Sequence, residues 1–307
     1  MYTIKQASAR SGVSISLLRA WERRYGVVIP ERTASGYRLY DDAAINRLRA
    51  MRQLVAAGWA ASQAADSVLR TPETALADAG GGRSITEEAP VPALGSSEAA
   101  AFVAAAAAYD ATGIESSLDA FFSRGSFERV IDDIVLPAVA ALGDAWAAGR
   151  LDVAAEHLAS ASVQRRLAAL FDLGGAPGSG PTVVVGLPPG SRHEIGALSF
   201  GVALRRQGVN VLYLGPDVPV VSWVHVVSER SPRMAVIGVT RSTDEGPARE
   251  VATALDAAMP GTVVAMGGAA AEHAATGAAS TKGGAIRVLP DRVTDAATEV
   301  ADLVRSR

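Results

Sequence analysis

The chain of 307 residues is 49% hydrophobic and 20% charged, which is enough apolar sequence for two or three packed domains and too much for a disordered chain. It contains no cysteine, which excludes disulfides, thiolate metal ligands and a cysteine nucleophile, so any metal must be held by one of four His, by carboxylates or by backbone groups. The apolar runs are short or Ala-rich and the first residues lack a signal-peptide core, so we expect a cytoplasmic protein with no membrane partner.

The charge is unevenly distributed along the chain. The formal net charge is −3, yet residues 1–70 carry 11 Lys and Arg against 5 Asp and Glu, so the remainder is strongly acidic. A basic module on an acidic body is a reason to look for phosphate contacts in that module.

The first module has the pattern of a helix-turn-helix. In YTIKQASARSGVSISLLRAWERRYG, residues 2–26, the apolar positions predict two short helices joined by a turn at Gly12, with Ser14 as the N-cap of the second helix. The residues expected to face the common core are Ile4, Ala7, Val13, Leu17, Leu18 and Trp21. The stretch ERTASGYRLYDD, residues 31–42, then predicts a small β-wing, after which Asp41 or Asp42 caps a helix that runs through Leu54.

The second helix and the wing carry the candidate DNA contacts, because cations on the outer face of a recognition helix meet phosphates and base edges. The residues predicted to contact double-stranded DNA are Ser16, Arg19, Arg23, Arg24, Tyr37 and Arg38. An Arg-rich amphipathic helix on its own is more often a solvated face. The order of LRAWERRYG and SGYRLYDD, however, resembles the winged-helix DNA-binding domain of the MerR family of transcription regulators, over residues 1–70.

After this domain the chain departs from the usual MerR pattern. Typical members continue into a long dimerisation helix, whereas residues 71–97 here combine three consecutive Gly with three Pro and predict a mobile linker. Assembly must therefore come from another part of the chain.

The middle module, residues 98–172, is predicted to be a four-helix bundle from its periodic apolar residues. The predicted breaks are Gly113, Gly125 and Gly149, and the predicted N-cap of the last helix is Asp152.

Three side chains stand out at one end of this bundle. The turn at Gly149 puts Trp146 at the end of one helix and Glu156 and His157 in the first turns of the next, so the three could meet. A structural interpretation stays open at this point, in which Trp is core, Glu complements the helix dipole and His fills space.

The third module, residues 181–307, follows the Gly/Pro break at residues 173–181 and predicts a flavodoxin-like α/β fold. Five runs without polar alternation, TVVVGL, VNVLYLG, MAVIGVT, TVVAMGG and AIRVLP, suit the strands of a parallel sheet that is covered on both faces. Ligands bind beyond the carboxyl ends of such strands. His193 lies there, before a helix that starts near Glu194.

The loops after these strands resemble those of cobalamin-binding domains, which have a His-x-x-Gly loop, a hydroxyl pair and a Gly-Gly turn. The matching residues, which the resemblance makes cofactor-binding, are His193, Glu194, Gly196, Thr240, Ser242, Gly267 and Gly268. The resemblance implies that His193 is the lower axial ligand of cobalt and that the glycines make room for the nucleotide tail. Family members commonly place Asp or Glu two residues before the His, where this chain has Ser191.

Trp146 followed after nine residues by Glu156 and His157, ahead of such a domain, resembles the CarH/LitR group of light-responsive repressors within the MerR family. The resemblance covers nearly the full length. It implies that adenosylcobalamin binds with Trp146 over its upper face and Glu156 at the adenosyl group. It also implies that a homotetramer binds DNA in the dark, and that after photolysis His157 can ligate cobalt while the tetramer dissociates.

Two alternatives remain beside this hypothesis. The α/β domain could respond to another ligand or chromophore, or to cobalamin supply, and Ser191 keeps that interpretation open. A corrinoid-dependent methyltransferase subunit is less favoured, because no segment could form a substrate barrel, and we expect no enzyme. Of the other two His, His225 is predicted to pack in the core beside Trp223, and His273 could approach the tail-binding side or be exposed.

Overall fold

The computed structural model describes residues 1–13, 15–32, 38–56, 61–71, 93–174, 180–259, 261–276 and 286–306. Its contacts divide the chain into two compact units, one of residues 1–92 with 119–130 and the other of residues 93–118 with 131–307. None of the helices in these described ranges is long and apolar enough to cross a membrane.

The predicted helix-turn-helix is confirmed. Helix α1 (Ile4–Ser11) begins with a capping box between Thr3 and Gln6 and ends at Gly12, whose φ of 70° reverses the chain into α2 (Ile15–Tyr25). The predicted core residues Ala7, Val13, Leu18 and Trp21 are buried in one cluster, with Ile4 and Leu17 packed against it. The predicted cap Ser14 lies outside the described residues.

The wing is also confirmed, as part of a three-stranded antiparallel sheet. Strand β3 (Arg38–Tyr40) pairs with β2 (Glu31–Arg32) on one side and with β1 (Tyr2–Thr3) on the other. Strand β1 was not predicted, because two residues carry no period. Of the two capping candidates it is Asp41 whose carboxylate accepts the Ala44 N–H, at 2.7 Å, so helix α3 (Asp42–Ala56) begins where predicted. Helix α4 (Ala61–Arg70) follows.

Residues 93–174, all of which the structure describes, form four helical segments as predicted. These are α5 (Ser96–Ala107), α6 (Ala111–Phe122), α7 (Phe127–Val130) continued through a π-helical stretch (Ile131–Val135) into α8 (Leu136–Ala147), and α9 (Val153–Leu173). The turn at Gly149, with φ of 71°, and the cap by Asp152 are confirmed. The predicted break at Gly113 is wrong. Tyr109, at φ of 53°, makes that turn, and Asp110 accepts the Gly113 N–H inside the first turn of α6.

The π-helical stretch has an identifiable cause in the sequence. Pro137 has no N–H, so the carbonyl of Asp133 loses its partner four residues on. That carbonyl accepts the N–H of Leu94 instead, at 3.0 Å. The stretch therefore ties the chain segment that leads into α5 to the middle of the third helix.

The π-helical stretch also caps the last helix of the chain, α14 (Val293–Arg305). The carboxylate of Asp132 accepts the N–H groups of Val293 and Thr294, at 2.8 and 3.1 Å, and the Thr294 hydroxyl, at 2.6 Å. Its neighbour Asp133 receives two hydrogen bonds from the Arg292 guanidinium. Two successive carboxylates thus fasten the bundle to the α/β domain.

The five predicted strands form one parallel sheet in the order β5-β4-β6-β7-β8, which confirms the flavodoxin-like fold. The strands are β4 (Thr182–Gly186), β5 (Asn210–Gly215), β6 (Met234–Gly238), β7 (Val263–Gly267) and β8 (Arg287–Val288). Helices connect or follow them: α10 (Ile195–Arg206), α11 (Val220–Arg230), α12 (Glu245–Ala258), α13 (Ala271–Thr276) and α14. The helix predicted to start near Glu194 is α10, and Glu194 is its N-cap.

The bundle packs on the α/β domain through α9 and α10. Gly201 allows the close approach, because a Cβ there would come within 3.2 Å of the Phe171 ring. The Arg205 guanidinium lies 4.3 Å from the centre of the same ring, which also tilts against Tyr213. An aromatic residue of the bundle is thus held between α10 and β5.

The predicted core position of His225 is wrong. Trp223 and Val227 lie on the buried face of α11, whereas His225 on the same helix is exposed. His225 follows Trp223 by two residues, and two residues along a helix correspond to a rotation of about 200°. Since Trp223 faces the sheet, His225 faces solvent. His273 is likewise exposed.

Candidate functional site

The outer face of α2 presents the predicted DNA-contacting cations. Arg19, Arg23 and Arg24 are all exposed on this helix, while its buried face carries Leu18 and Trp21. Ser16 also lies on α2. Tyr37 lies outside the described residues. These positions remain predicted DNA contacts.

The wing strand is tied to α2 through Glu22. The Arg38 Nε donates to both Glu22 carboxylate oxygens, at 3.0 and 3.1 Å, and the Tyr40 hydroxyl donates to one of them. Burial, followed by the Glu22 charge, raises the pKa of Tyr40 to about 12. Tyr40 therefore stays a hydrogen-bond donor at neutral pH, and Glu22 fixes the strand that carries Arg38 against the candidate recognition helix.

The predicted cobalamin-binding residues of the α/β domain gather where the strand order reverses. Strands β4 and β6 are neighbours in the sheet but not in the chain, and the loops at their carboxyl ends hold His193 and Thr240. The Thr240 hydroxyl donates to the His193 carbonyl, at 3.4 Å. Ser242 is exposed one turn further on, in a short 3-10 helix. Ligands of open parallel sheets bind at such a switch point.

The imidazole of His193 is exposed and has one side-chain partner in the described part of the chain, which sequence reasoning missed. Nη1 of Arg241 lies 3.0 Å from Nε2 of His193. The two residues are 48 positions apart, and a strand and a helix separate them. No local pattern in the sequence signals this contact.

Ser191, which stands where family members commonly have an acid, makes no hydrogen bond to His193 through its side chain. That side chain is buried, and its hydroxyl oxygen has no hydrogen-bond partner among the described residues. A buried hydroxyl without a partner costs free energy, so this oxygen is available to a group that enters the loop.

The two glycines after β7 differ in what a side chain would meet. Gly268 has φ of 108°, and a Cβ there would come 2.6 Å from the carbonyl oxygen of Val239, so the fold itself requires glycine. A Cβ at Gly267 would make only ordinary contacts with Leu289, and one at Gly196 would meet nothing within 4 Å. Gly196, three residues after His193, therefore leaves open space, whereas Gly267 packs on Leu289.

Glu194 connects the His193 loop to the bundle. Its carboxylate accepts the Tyr213 hydroxyl, at 2.8 Å, and the side-chain amide of Gln164 from α9, at 3.4 Å. Burial, followed by the hydrogen bond to Glu194, raises the pKa of Tyr213, which therefore keeps its proton and donates. Glu194 is thus anchored on two sides.

The bundle residues singled out in the sequence lie on both sides of the Gly149 turn. The indole of Trp146, in the last turn of α8, is 46% exposed, which is unusual for so large an apolar residue. This exposure contradicts the core interpretation of Trp146.

Glu156 and His157 form a hydrogen-bonded pair in the first turns of α9. Nδ1 of His157 lies 2.8 Å from one Glu156 carboxylate oxygen, and the Ser160 hydroxyl donates to the other. Because a carboxylate only accepts, Nδ1 donates this bond and Nε2 takes no part in it. The His157 side chain is 72% exposed, so Nε2 is accessible to a metal ion.

Comparison with known proteins places these parts in families. Residues 2–68 match the family described as MerR HTH family regulatory protein, and residues 98–171 match the B12 binding domain. A MerR-type head joined to a B12-binding region defines a transcription regulator.

Two curated relatives from Myxococcus xanthus specify the kind of regulator. The chain is 34% identical over 272 residues to the HTH-type transcriptional repressor CarH, across 88% of this chain and 89% of that protein. It is 29% identical over 273 residues to the HTH-type transcriptional repressor CarA, across 88% of each. The chain belongs to the CarH-type, cobalamin-binding repressors of the MerR family.

A solved structure supports the fold of the larger part. The monomethylamine corrinoid protein of Methanosarcina barkeri superposes with a TM-score of 0.51 over 67% of this chain and 96% of that one, at 14% sequence identity. At that identity the likeness shows the fold alone.

Proposed function

We propose that this repressor binds adenosylcobalamin, assembles on operator DNA as a homotetramer in the dark and leaves DNA when light removes the adenosyl group. The exposed imidazole of His193 carries the proposal, because it lies at the switch point of a flavodoxin-like sheet, between two loops that leave room for a ligand. Family membership supports a repressor with a corrinoid site.

The residues at the sheet edge fit a corrinoid. The ring supplies its own four nitrogen ligands, so one accessible imidazole from the protein is sufficient below cobalt. The open space at Gly196 suits the approach of a nucleotide tail to the backbone. The unpartnered hydroxyl of Ser191 offers that tail a hydrogen bond. His193 would therefore ligate cobalt from below, and these residues would hold the tail.

The bundle would cover the opposite side of the corrinoid. When bound, adenosylcobalamin supplies a cobalt–carbon bond that visible light breaks. Trp146 presents an exposed indole that would pack on the upper face, in the space next to the adenosyl group. His157 presents Nε2 to solvent because Glu156 holds its Nδ1 proton, so this imidazole is ready to bind a vacated upper position.

Coupling to DNA requires an assembly that depends on the position of the bundle. We take residues 1–70 as the DNA-binding domain, 71–97 as a linker, 98–172 as the bundle and 181–307 as the α/β domain. Since the sequence predicts a linker over residues 71–97 in place of the long MerR dimerisation helix, we expect self-association to use the cofactor-binding part of the chain. A ligand changes such an equilibrium only by binding one state better than the other, so the tetramer interface must fit the adenosyl-bound arrangement.

Two other functions would leave different signatures. A regulator that senses another ligand or chromophore, or cobalamin supply alone, would show no light-dependent change of a bound corrinoid. A methyltransferase subunit would transfer methyl groups with a partner enzyme. The two repressors that match along 88% of the chain favour regulation over that activity.

The first experiment is an absorption spectrum of the full chain after adenosylcobalamin is added in the dark and unbound cofactor is removed. The spectrum is repeated after green light while light scattering follows the molar mass and a labelled operator fragment reports DNA binding. Retained corrinoid, a spectral change, a fall in mass and loss of DNA on illumination are expected. If no corrinoid is retained, the α/β domain serves another ligand.

Two variants assign the axial ligands. His193→Ala should lose cobalamin retention and dark assembly together, and a variant that keeps both would refute the lower-ligand assignment. His157→Ala is the matched control from the other side of the ring. It should keep dark DNA binding and change only the spectrum of the illuminated product, so equal loss in the dark would refute the role of His157.

A further inference from the structure

The side-chain partner of His193 is a cation, Arg241, and the position two residues before the histidine, which usually holds an acid, is Ser191 in this chain. Nη1 of Arg241 lies 3.0 Å from Nε2 of His193, and the Ser191 hydroxyl bonds to neither. A guanidinium can only donate hydrogen bonds, so Nε2 must accept and the ring proton must sit on Nδ1. The lone pair that points at Arg241 is one that a metal could otherwise use.

Hydrogen bonds fix the backbone of both loops that carry the Arg241–His193 contact. The buried carboxylate of Asp244 accepts the N–H groups of Thr240 and Arg241, at 3.3 and 3.0 Å. The Thr240 hydroxyl joins this loop to the carbonyl of His193. Arg241 is therefore held within reach of His193 by hydrogen bonds that do not involve its own side chain.

The guanidinium has no competing acid. Among the described residues, no carboxylate oxygen lies within 4.0 Å of the Arg241 side chain, and its hydrogen-bond acceptor is His193. Arg192 is also exposed and directly precedes His193 in the sequence, yet within the described part of the chain it makes no side-chain bond to the imidazole. Arg192 therefore serves as a control for a nearby positive charge without this contact.

We propose that Arg241 is a positioning residue that competes with cobalt for Nε2 of His193 and so sets how strongly this chain ligates a corrinoid from below. The inference rests on the proposed function, because it takes His193 as the lower ligand. One lone pair cannot accept the Arg241 proton and bind a metal at the same time. Loading the site therefore requires the guanidinium to release His193.

Aquocobinamide is the probe that tests this competition. It lacks the nucleotide tail, so ligation by imidazole is reported by its absorption spectrum without a competing tail base. Full-length wild type, Arg241→Met and Arg192→Met are titrated in the dark, each with His157→Ala added so that the upper imidazole does not contribute, and with His193→Ala in the same background as the chain that lacks the lower ligand. A hydrogen bond worth about 1 kcal/mol corresponds to roughly five-fold in affinity, so Arg241→Met should bind about three- to ten-fold more tightly than wild type.

The controls separate the hydrogen bond from charge. Arg192→Met removes the same charge nearby and should stay within about two-fold of wild type. Arg241→Lys keeps both charge and donor and should lie closer to wild type than Arg241→Met does. If wild type ligates and Arg241→Met binds equally or more weakly, the competition is overturned while the proposed function stands. If neither ligates, His193 is not the lower ligand and both fail.

A second measurement tests the hydrogen bond without any cofactor. The chain has only four His, so nitrogen NMR of ¹⁵N-histidine-labelled protein can be assigned with His193→Ala. Wild type should show Nδ1 protonated and Nε2 as a hydrogen-bonded acceptor. Arg241→Met should shift the Nε2 resonance of His193 towards a mixture of tautomers and leave that of His157 unchanged. Identical His193 spectra in both proteins would overturn the proposal.

Discussion

Replacing Gly268 with Ala tests whether the turn after β7 is fixed by the fold itself. The φ of 108° is a conformation that residues with a Cβ rarely adopt, at a cost of about 1–3 kcal/mol. A Cβ would also stand 2.6 Å from the Val239 carbonyl oxygen, and relieving such overpacking costs about 1–3 kcal/mol more. We expect a loss of about 2–6 kcal/mol in the free energy of unfolding, which lowers the melting temperature by roughly 5–20 °C.

Gly267→Ala is the matched control for this prediction. Its φ is ordinary, and its Cβ would make van der Waals contacts of 3.5 Å or more with Leu289, so its cost should stay under about 1 kcal/mol. Calorimetry on the full chain without cofactor measures both. If Gly268→Ala has the same melting temperature as wild type, or if both variants lose the same stability, the steric argument is refuted.

Three other predictions concern single side chains. Asp132→Ala removes the cap of α14 and should cost about 1–2 kcal/mol in thermal unfolding, whereas Asp133→Ala breaks a half-exposed ion pair and should cost less than about 1 kcal/mol; equal losses would contradict the capping role. Arg19→Ala should reduce the slope of log affinity for operator DNA against log salt by about 0.9 if Arg19 contacts a phosphate, and an unchanged slope would exclude that contact. The pKa of Tyr40, raised to about 12, implies a stability contribution that is complete below pH 10 and is lost as the pH rises through 12. Tyr40→Phe should lack this loss in alkaline unfolding curves, and parallel curves for both proteins would contradict it.

The sequence predicted the elements whose cause is local or periodic. The buried apolar runs of β4 and β6 predicted a sheet covered on both faces, and Gly12 predicted the turn before the candidate recognition helix. The N-cap Asp152 followed from its position after the Gly149 turn. In each case the deciding interaction joins residues a few positions apart.

The features that the sequence did not predict depend on contacts between distant residues or on a local interaction that outweighs residue propensity. Glycine disfavours helix interiors, so the sequence predicts a break at Gly113, but Asp110 caps the helix there and Tyr109 makes the turn. The π-helical stretch depends on a carbonyl freed by Pro137 that finds its partner in a distant segment. The contact between Arg241 and His193 depends on which strands lie side by side, and no spacing in one sequence encodes that order.

The two candidate cobalt ligands have partners of opposite charge, and this difference bears on which of them binds more firmly. The carboxylate of Glu156 accepts a hydrogen bond from Nδ1 of His157, and Nε2 of that ring takes no part in the bond. The guanidinium of Arg241 donates a hydrogen bond to Nε2 of His193, so it occupies the lone pair that would bind cobalt. On the proposed function, His193 would bind cobalt only when Arg241 releases its Nε2, whereas the bond to Glu156 leaves Nε2 of His157 outside any such competition. We therefore expect the bond from His193 to be the weaker of the two, which the titration of Arg241→Met measures.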